Sequence, residues 1–264
     1  HLPQIGDNDG SVLFPMSDKK NDYSYLLTVG EHLFDVKFGG ACVKRCTTTE
    51  QILPKIKQYD IGDYGIVPRS QTTTALFEIG GMYSAFNNIF HLLVSFQPLG
   101  QNGKGGHNHI DAGHFTLSCH GKQIFGDPGS YSYNRSKEVR DLYRRPEMHN
   151  MMIYSHENFD LNGCSSFALS TFFESKVTNT FASSNKSEFS VRVTSNGESL
   201  SRDITYKLDN DEFQVLYKGQ RKKPFYNYFI LHPKCVINCV HNGRIIVDDM
   251  MSIEFFDYDE LSID

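Results

Sequence analysis

Residues 105–114 read Gly-Gly-His-Asn-His-Ile-Asp-Ala-Gly-His, residues 125–133 read Phe-Gly-Asp-Pro-Gly-Ser-Tyr-Ser-Tyr, and residues 144–150 read Arg-Arg-Pro-Glu-Met-His-Asn. This stretch concentrates groups that bind metals and move protons, with six of the eleven histidines lying between His107 and His156. If the segment from His109 to Cys119 is a strand that begins near Gly106, the period of two puts His107, His109 and Asp111 on one face and Asn108, Ile110 and Ala112 on the other. With imidazoles at that spacing on one face, one carboxylate and one further imidazole would complete a three-ligand site for a borderline metal such as zinc. Gly105-Gly106 allows close backbone approach or positive φ. Asp127-Pro128-Gly129 reads as a turn whose Asp caps its own backbone. A turn role and a ligand role for Asp127 are compatible.

Outward from this core the texture is β-rich. Short runs of β-branched and aromatic residues separated by turn signals predict strands at 64–67, 73–79, 89–96, 109–119, 123–125, 151–154, 166–173, 188–194, 202–208, 212–217, 226–231, 235–239 and 244–247. Turns are expected at 119–122, 208–211 and 241–243, and the polar stretch 183–187 reads as a loop. So many short strands at close spacing predict a β-sandwich. Before residue 59 the pattern differs. Tyr25, Leu26, Val29, Leu33 and Phe34 recur at helical spacing ahead of Gly39-Gly40, predicting an amphipathic helix, and 48–59 could add a shorter one interrupted by Pro54.

Composition narrows the function classes. A chain of 264 residues with 39% hydrophobic residues and no apolar run near the roughly 20 residues of a membrane span is expected to be globular, without a membrane span. A formal charge of −5 disfavours a nucleic-acid partner. Locally the balance reverses: between Lys104 and Arg145 lie seven basic residues (Lys104, Lys122, Arg135, Lys137, Arg140, Arg144 and Arg145) and four acids (Asp111, Asp127, Glu138 and Asp141). That excess suits an anionic ligand, although arginine-rich surface loops also pair with neighbouring acids. The six cysteines, at 42, 46, 119, 164, 235 and 239, show neither C-x2-C knuckles nor a disulfide framework.

The pattern G-G-H-N-H-I-D, then G-K-Q-I-F-G-D-P-G-S-Y-S-Y, then R-D-L-Y-R-R-P-E-M-H-N resembles the C-terminal β-sandwich of the heparinase II/III-like polysaccharide lyases. The likeness is densest over 60–160 and extends back to Ile5-Gly-Asp-Asn-Asp-Gly and forward to Arg202-Asp-Ile-Thr and Phe229-Ile-Leu-His-Pro. It implies a mainly β chain, a large antiparallel β-sandwich (supersandwich) over 59–264 preceded at 1–58 by the end of a helical α/α toroid. It also implies a structural zinc held by His109, Asp127 and His149, with His107 on the catalytic side of the cleft. Tyr131, Tyr133, Arg140 and Arg144 are the expected substrate contacts. Where the family pattern often carries R-x-T, this chain has Arg144-Arg145-Pro146, a departure that bears on substrate contacts rather than on the ligands.

The implied activity is β-elimination on a uronic acid unit of an acidic polysaccharide, which needs the carboxylate charge neutralised, a base for the α proton and an acid for the leaving oxygen. In such lyases the toroid supplies much of that machinery, so this chain is expected to carry half of an active site and to partner an upstream toroid. A bacterial periplasm or cell envelope is the expected location, with free cysteines leaving the cytoplasm open. The alternative is a non-catalytic module that binds acidic glycans or assists polysaccharide assembly. Metal-assisted hydrolysis ranks last, because no H-E-x-x-H occurs.

Overall fold

In the computed structural model the described residues are 6, 25–35, 51, 71–131, 133, 135–154, 159, 161, 168–169, 173–195, 200–219, 224–241, 244–248 and 251–256. The expected helix over 48–59 and strand over 64–67 lie outside them, as do Cys42, Cys46 and Cys164.

Every strand pairing among the described residues is antiparallel. One sheet runs in chain order through β1 (Thr73–Phe77), β2 (Met82–Phe86), β3 (Phe90–Ser95), β4 (His114–Cys119) and β5 (Lys122–Phe125). A second is the meander β7 (Phe173–Ala182), β8 (Ser187–Ser195), β9 (Leu200–Leu208) and β10 (Phe213–Lys218). A ribbon of β6 (Met151–Tyr154) with β11 (Phe225–Tyr228) and a three-stranded unit of β12 (Ile237–His241), β13 (Arg244–Val247) and β14 (Met251–Glu254) complete the β structure.

The two larger sheets face each other through aromatic rings. Tyr83 stacks on Phe189 at 4.3 Å, and Phe115 meets Tyr206 at 5.8 Å and Phe213 at 5.4 Å. Period-two patterning selects these faces: on β9, Arg202, Ile204, Tyr206 and Leu208 are buried while the residues between them are half exposed. Each fully buried large apolar side chain contributes roughly 1.5–3 kcal/mol. The expected β-sandwich is therefore present.

Helices are few. α1 (Tyr25–Phe34) falls where helical spacing predicts it, but Leu26 of its apolar set is exposed, as is the neighbouring Leu27. A single turn, α2 (Gly100–Gly103), precedes the histidine segment. α3 (Lys137–Tyr143) starts at Ser136, whose hydroxyl accepts the Val139 N–H at 3.3 Å, and ends at Arg144.

One expectation is overturned. The strand predicted from His109 begins only at His114, and residues 105–113 form a looped segment. Gly113 has φ +90°, and a Cβ there would lie 2.5 Å from Ile204 Cδ1, so the chain turns tightly under β9 before entering β4. The carbonyls of Gly105, Gly106 and Asn108, which a ladder would have used, are taken by arginine side chains. His107, His109 and Asp111 consequently do not share a strand face.

Candidate functional site

α3 positions the loop that carries the histidines. Arg140 and Arg144 stand one turn apart on the same face of that helix, and both point inward, at 1% and 0% exposure. Arg140 Nη2 donates to Gly106 O at 3.0 Å. Arg144 donates from Nε to Asn108 O at 3.2 Å and from Nη2 to Gly105 O at 3.2 Å and Ala168 O at 3.1 Å. The Ile110 N–H donates in turn to Arg144 O. Charge-assisted bonds to buried carbonyls make these two side chains braces of the 105–108 main chain. Arg140 and Arg144, expected to contact a substrate, are thus buried with several of their donors on backbone carbonyls.

The brace sends the two histidines of H-x-H to different environments. His109 is 2% exposed, whereas His107 lies at the surface with its ring parallel to Tyr133 at 6.0 Å and its Nδ1 3.2 Å from the Tyr133 hydroxyl. The Arg140 guanidinium carbon lies 5.4 Å from the Tyr133 ring centroid, so one arginine supports both the loop and the tyrosine. Tyr131 is 81% exposed, stacks on Tyr143 at 5.5 Å, and holds φ +46°, a left-handed conformation that is uncommon and costly for an aromatic residue. Gly6, from the Ile5-to-Gly10 motif, is buried with φ +68°, and a Cβ on it would come 2.8 Å from the His107 carbonyl oxygen. Gly6 thus backs directly onto His107.

Behind this surface lies a buried polar cluster. His114, Asp127 and His149 bring ligand atoms within 4.8 Å of one another. The His109 ring centroid is 5.3 Å from that of His149. Asp127 Oδ1 accepts the Gly129 N–H at 2.7 Å, the expected self-capping turn, while Oδ2 lies 2.8 Å from His149 Nδ1 and 3.3 Å from His114 Nε2.

Burial alone would raise the Asp127 carboxyl, but the hydrogen bond and charge of His149, with His114 and the Gly129 amide, outweigh it and hold the carboxyl at about 2. Burial likewise works against protonation of His149, yet the hydrogen bond and charge of Asp127 prevail and the imidazole is raised above its ordinary value. His114 goes the other way: burial pushes it down to about 3. Asp111, also buried, is raised by its burial, more than His149 and His109 pull it down.

Asn150 ties the cluster to the sheets. Its side-chain amide donates to Phe115 O at 2.8 Å and Gly126 O at 2.9 Å, its Oδ1 accepts the Ile230 N–H, and its own N–H donates to His114 Nδ1 at 2.9 Å.

Two imidazoles and a carboxylate with nitrogen and oxygen donors match zinc or a similar divalent ion. His149 Nε2 and His114 Nε2 are both buried with no hydrogen-bond partner among the described residues, as a nitrogen kept for a cation would be. The donor set therefore fits a metal. The sequence pattern marks His109, Asp127 and His149 and leaves out His114, whose imidazole differs from a core side chain only in where β4 begins. It also leaves out the bracing by α3, because a helix whose inward residues are arginines gives no apolar periodicity.

The local excess of positive charge is smaller at the surface than the sequence predicts. Arg140 and Arg144 are buried, Lys122 pairs with Asp248 at 2.5 Å, and Lys137 pairs with Asp141. Lys104, Arg135 and Arg145 remain exposed.

No helix among the described residues is long and apolar enough to cross a membrane. No curated protein matches the chain. Among solved structures, the heparan sulfate lyase HepC from Pedobacter heparinus is similar over 93% of this chain and 35% of its own, with TM-score 0.58 and 14% identity. The heparinase III BT4657 gene product is similar over 75% of this chain and 29% of its own, with TM-score 0.50 and 18% identity. Its form with methylated lysines gives 93%, 35%, 0.51 and 16%. The chain thus spans about a third of the length of these lyases, and at such identities the likeness concerns the fold. Residues 70–253 match the family model described as heparinase II/III-like, C-terminal, and the chain belongs to that family.

Proposed function

We propose that this chain is the sandwich portion of a polysaccharide lyase that cleaves a uronic acid-containing polysaccharide by β-elimination. The observation that carries the proposal is the surface group formed by His107 stacked on Tyr133 beside the exposed, strained Tyr131, on a domain of a family whose solved relatives are lyases. Residues 1–58 form the end of a helical toroid in this reading, and the exposed Leu26 and Leu27 of α1 offer apolar surface for further helices to cover.

In β-elimination a base removes the proton α to the uronate carboxylate, a carbon–carbon double bond forms, and the bond to the glycosidic oxygen breaks. That oxygen leaves with the electron pair and takes up a proton. The His107 imidazole can accept and return a proton, and the Tyr133 hydroxyl on its Nδ1 fixes the ring. Tyr131 offers an aromatic face for a sugar ring, and Lys104, Arg135 and Arg145 supply the exposed positive charge that an acidic chain requires. A zinc ion held by His109, Asp127 and His149 would cross-link the loop, the Asp127 turn and the entry to β6, keeping His107 in place.

The test is full-length protein assayed on several polyuronates by the ultraviolet absorbance of unsaturated uronate products. Turnover that His107→Ala abolishes while preserving the fold supports the proposal. Calorimetric binding without turnover on any substrate points instead to a glycan-binding module.

A further inference from the structure

We propose that His114 is not a ligand of this metal site but the side chain that sets the Asp127 carboxylate, leaving His109, Asp127 and His149 as the cage. This rests on the metal reading given under Proposed function. His114, Asp127 and His149 are the set that proximity alone selects. Hydrogen bonding separates them. The Asn150 N–H donates to His114 Nδ1 at 2.9 Å, and a backbone amide can only donate, so Nδ1 presents its lone pair. The single proton of the imidazole then sits on Nε2, the atom that faces the cluster, and a protonated nitrogen has no lone pair for a metal.

Freeing Nε2 would move the proton to Nδ1 and point two N–H groups at each other. The Asn150 amide is not placed to yield. Its residue is fully buried, and its side chain is anchored on Phe115 O, Gly126 O and the Ile230 N–H. Nor can an imidazolium satisfy the same contact, since both of its nitrogens are donors.

The Nε2–H lies 3.3 Å from Asp127 Oδ2 without the geometry of a hydrogen bond, so it faces that oxygen as a dipole rather than as a bonded donor. The carboxylate thus has two hydrogen-bond partners, the Gly129 N–H on Oδ1 and His149 on Oδ2, with the His114 Nε2–H beside it. Ligating carboxylates depend on such outer partners, whose loss costs roughly 10–100-fold in metal affinity. The third imidazole of the cage is then His109, 2% exposed with its ring 5.3 Å from that of His149.

Two measurements on the full chain decide it. The first is long-range proton–nitrogen correlation on protein carrying ¹⁵N-histidine, with and without zinc. Here His114 keeps the Nε2–H pattern in both states, while His109 and His149 shift to coordinated nitrogen. A coordinated shift at His114 Nε2 overturns the inference. The second is zinc affinity by competition with a chelating dye. His114→Gln keeps a donor at the reach of Nε2 and is expected within about threefold of wild type. His114→Ala is expected to bind roughly 10–100-fold more weakly, and His109→Ala is expected to lose more than either. Thermal unfolding of each metal-free variant separates lost binding from lost fold, and a folded His114→Gln that takes no zinc also overturns the role. A wild-type chain that takes no zinc removes the cage itself, whereas uptake through His114 removes only the role assigned to His114.

Discussion

The segment 105–150 and the meander β7 to β10 sit against each other in one core and are held by opposite means. In the meander, β8 and β9 bury Phe189, Val191, Val193, Ile204, Tyr206 and Leu208 on one face, and polar residues such as Asp203 and Lys207 alternate with them on the other. In 105–150 the buried groups include His109, Asp111, His114, Arg140, Arg144, His149 and Asn150, the last five held by the hydrogen bonds and ion pairs described above. A nonpolar face tolerates any side chain of suitable volume, whereas a buried polar group tolerates only its own partner. The regular region therefore supplies stability and the irregular one supplies placement. The two meet at Gly113, whose carbonyl accepts the Tyr206 hydroxyl at 2.5 Å.

The comparison is most exposed to failure at Arg144. Arg144→Ala removes the guanidinium donor from the carbonyls of Asn108 and Ala168 and leaves Gly105 O with the Asn108 N–H alone, and it is expected to cost about 3–5 kcal/mol in denaturant unfolding. Arg144→Lys should recover little of it, because an ammonium cannot span three carbonyls. A loss below about 1 kcal/mol would mean the brace is ornamental.

Phe189→Ala in the meander should cost about 3–4 kcal/mol, but Phe189→Leu only about 1–1.5 kcal/mol, and that tolerance is what sets the two regions apart. Equal damage from both would erase the distinction.

Next in size is Gly6→Ala, which combines φ +68° with a contact 2.8 Å from the His107 carbonyl. It is expected to cost about 1–2 kcal/mol and to lower turnover more than that loss implies, read from kcat alongside the melting temperature.

The pH dependence has two parts with opposite signs. In metal-free protein the raised His149 contributes stability below its ordinary pKa, and this is lost as pH rises through the raised value. The depressed Asp127 contributes stability above its ordinary value, lost as pH falls toward about 2. If zinc binds as proposed, it must displace the His149 proton, and its affinity should rise about tenfold per pH unit until that group is deprotonated. An affinity flat with pH would place the metal elsewhere.

The smallest effect belongs to Arg192→Ala on the outer face of the meander. Its pair with Asp203 at 2.7 Å is exposed, and the unfolding midpoint should not move beyond error.

Strand legibility followed the same division. β3, β6, β8 and β9 lie close to where alternation or apolar runs predict them, because each has a buried face. β7 was missed beyond Phe173, its single buried residue, because it is an edge strand with no apolar period to read. β2 was missed because its inward pair, Tyr83 and Ala85, is separated by a serine in a short run after Gly80-Gly81. β14 was missed as a short strand at the edge of its sheet. α3 was missed because its buried side chains include Arg140 and Asp141.

The sequence by itself determined the sandwich class, the family and the neighbourhood of His107, His109, Asp127 and His149, because period-two burial and a dense motif are local properties of the chain. Only the tertiary structure decided that His107 faces outward while His109 is buried, that Arg140 and Arg144 brace a loop, and that His114 stands beside Asp127. Those outcomes depend on which buried donor meets which acceptor across distant segments, such as Asn150 with His114 and Arg144 with Gly105, and no spacing along the chain encodes that pairing.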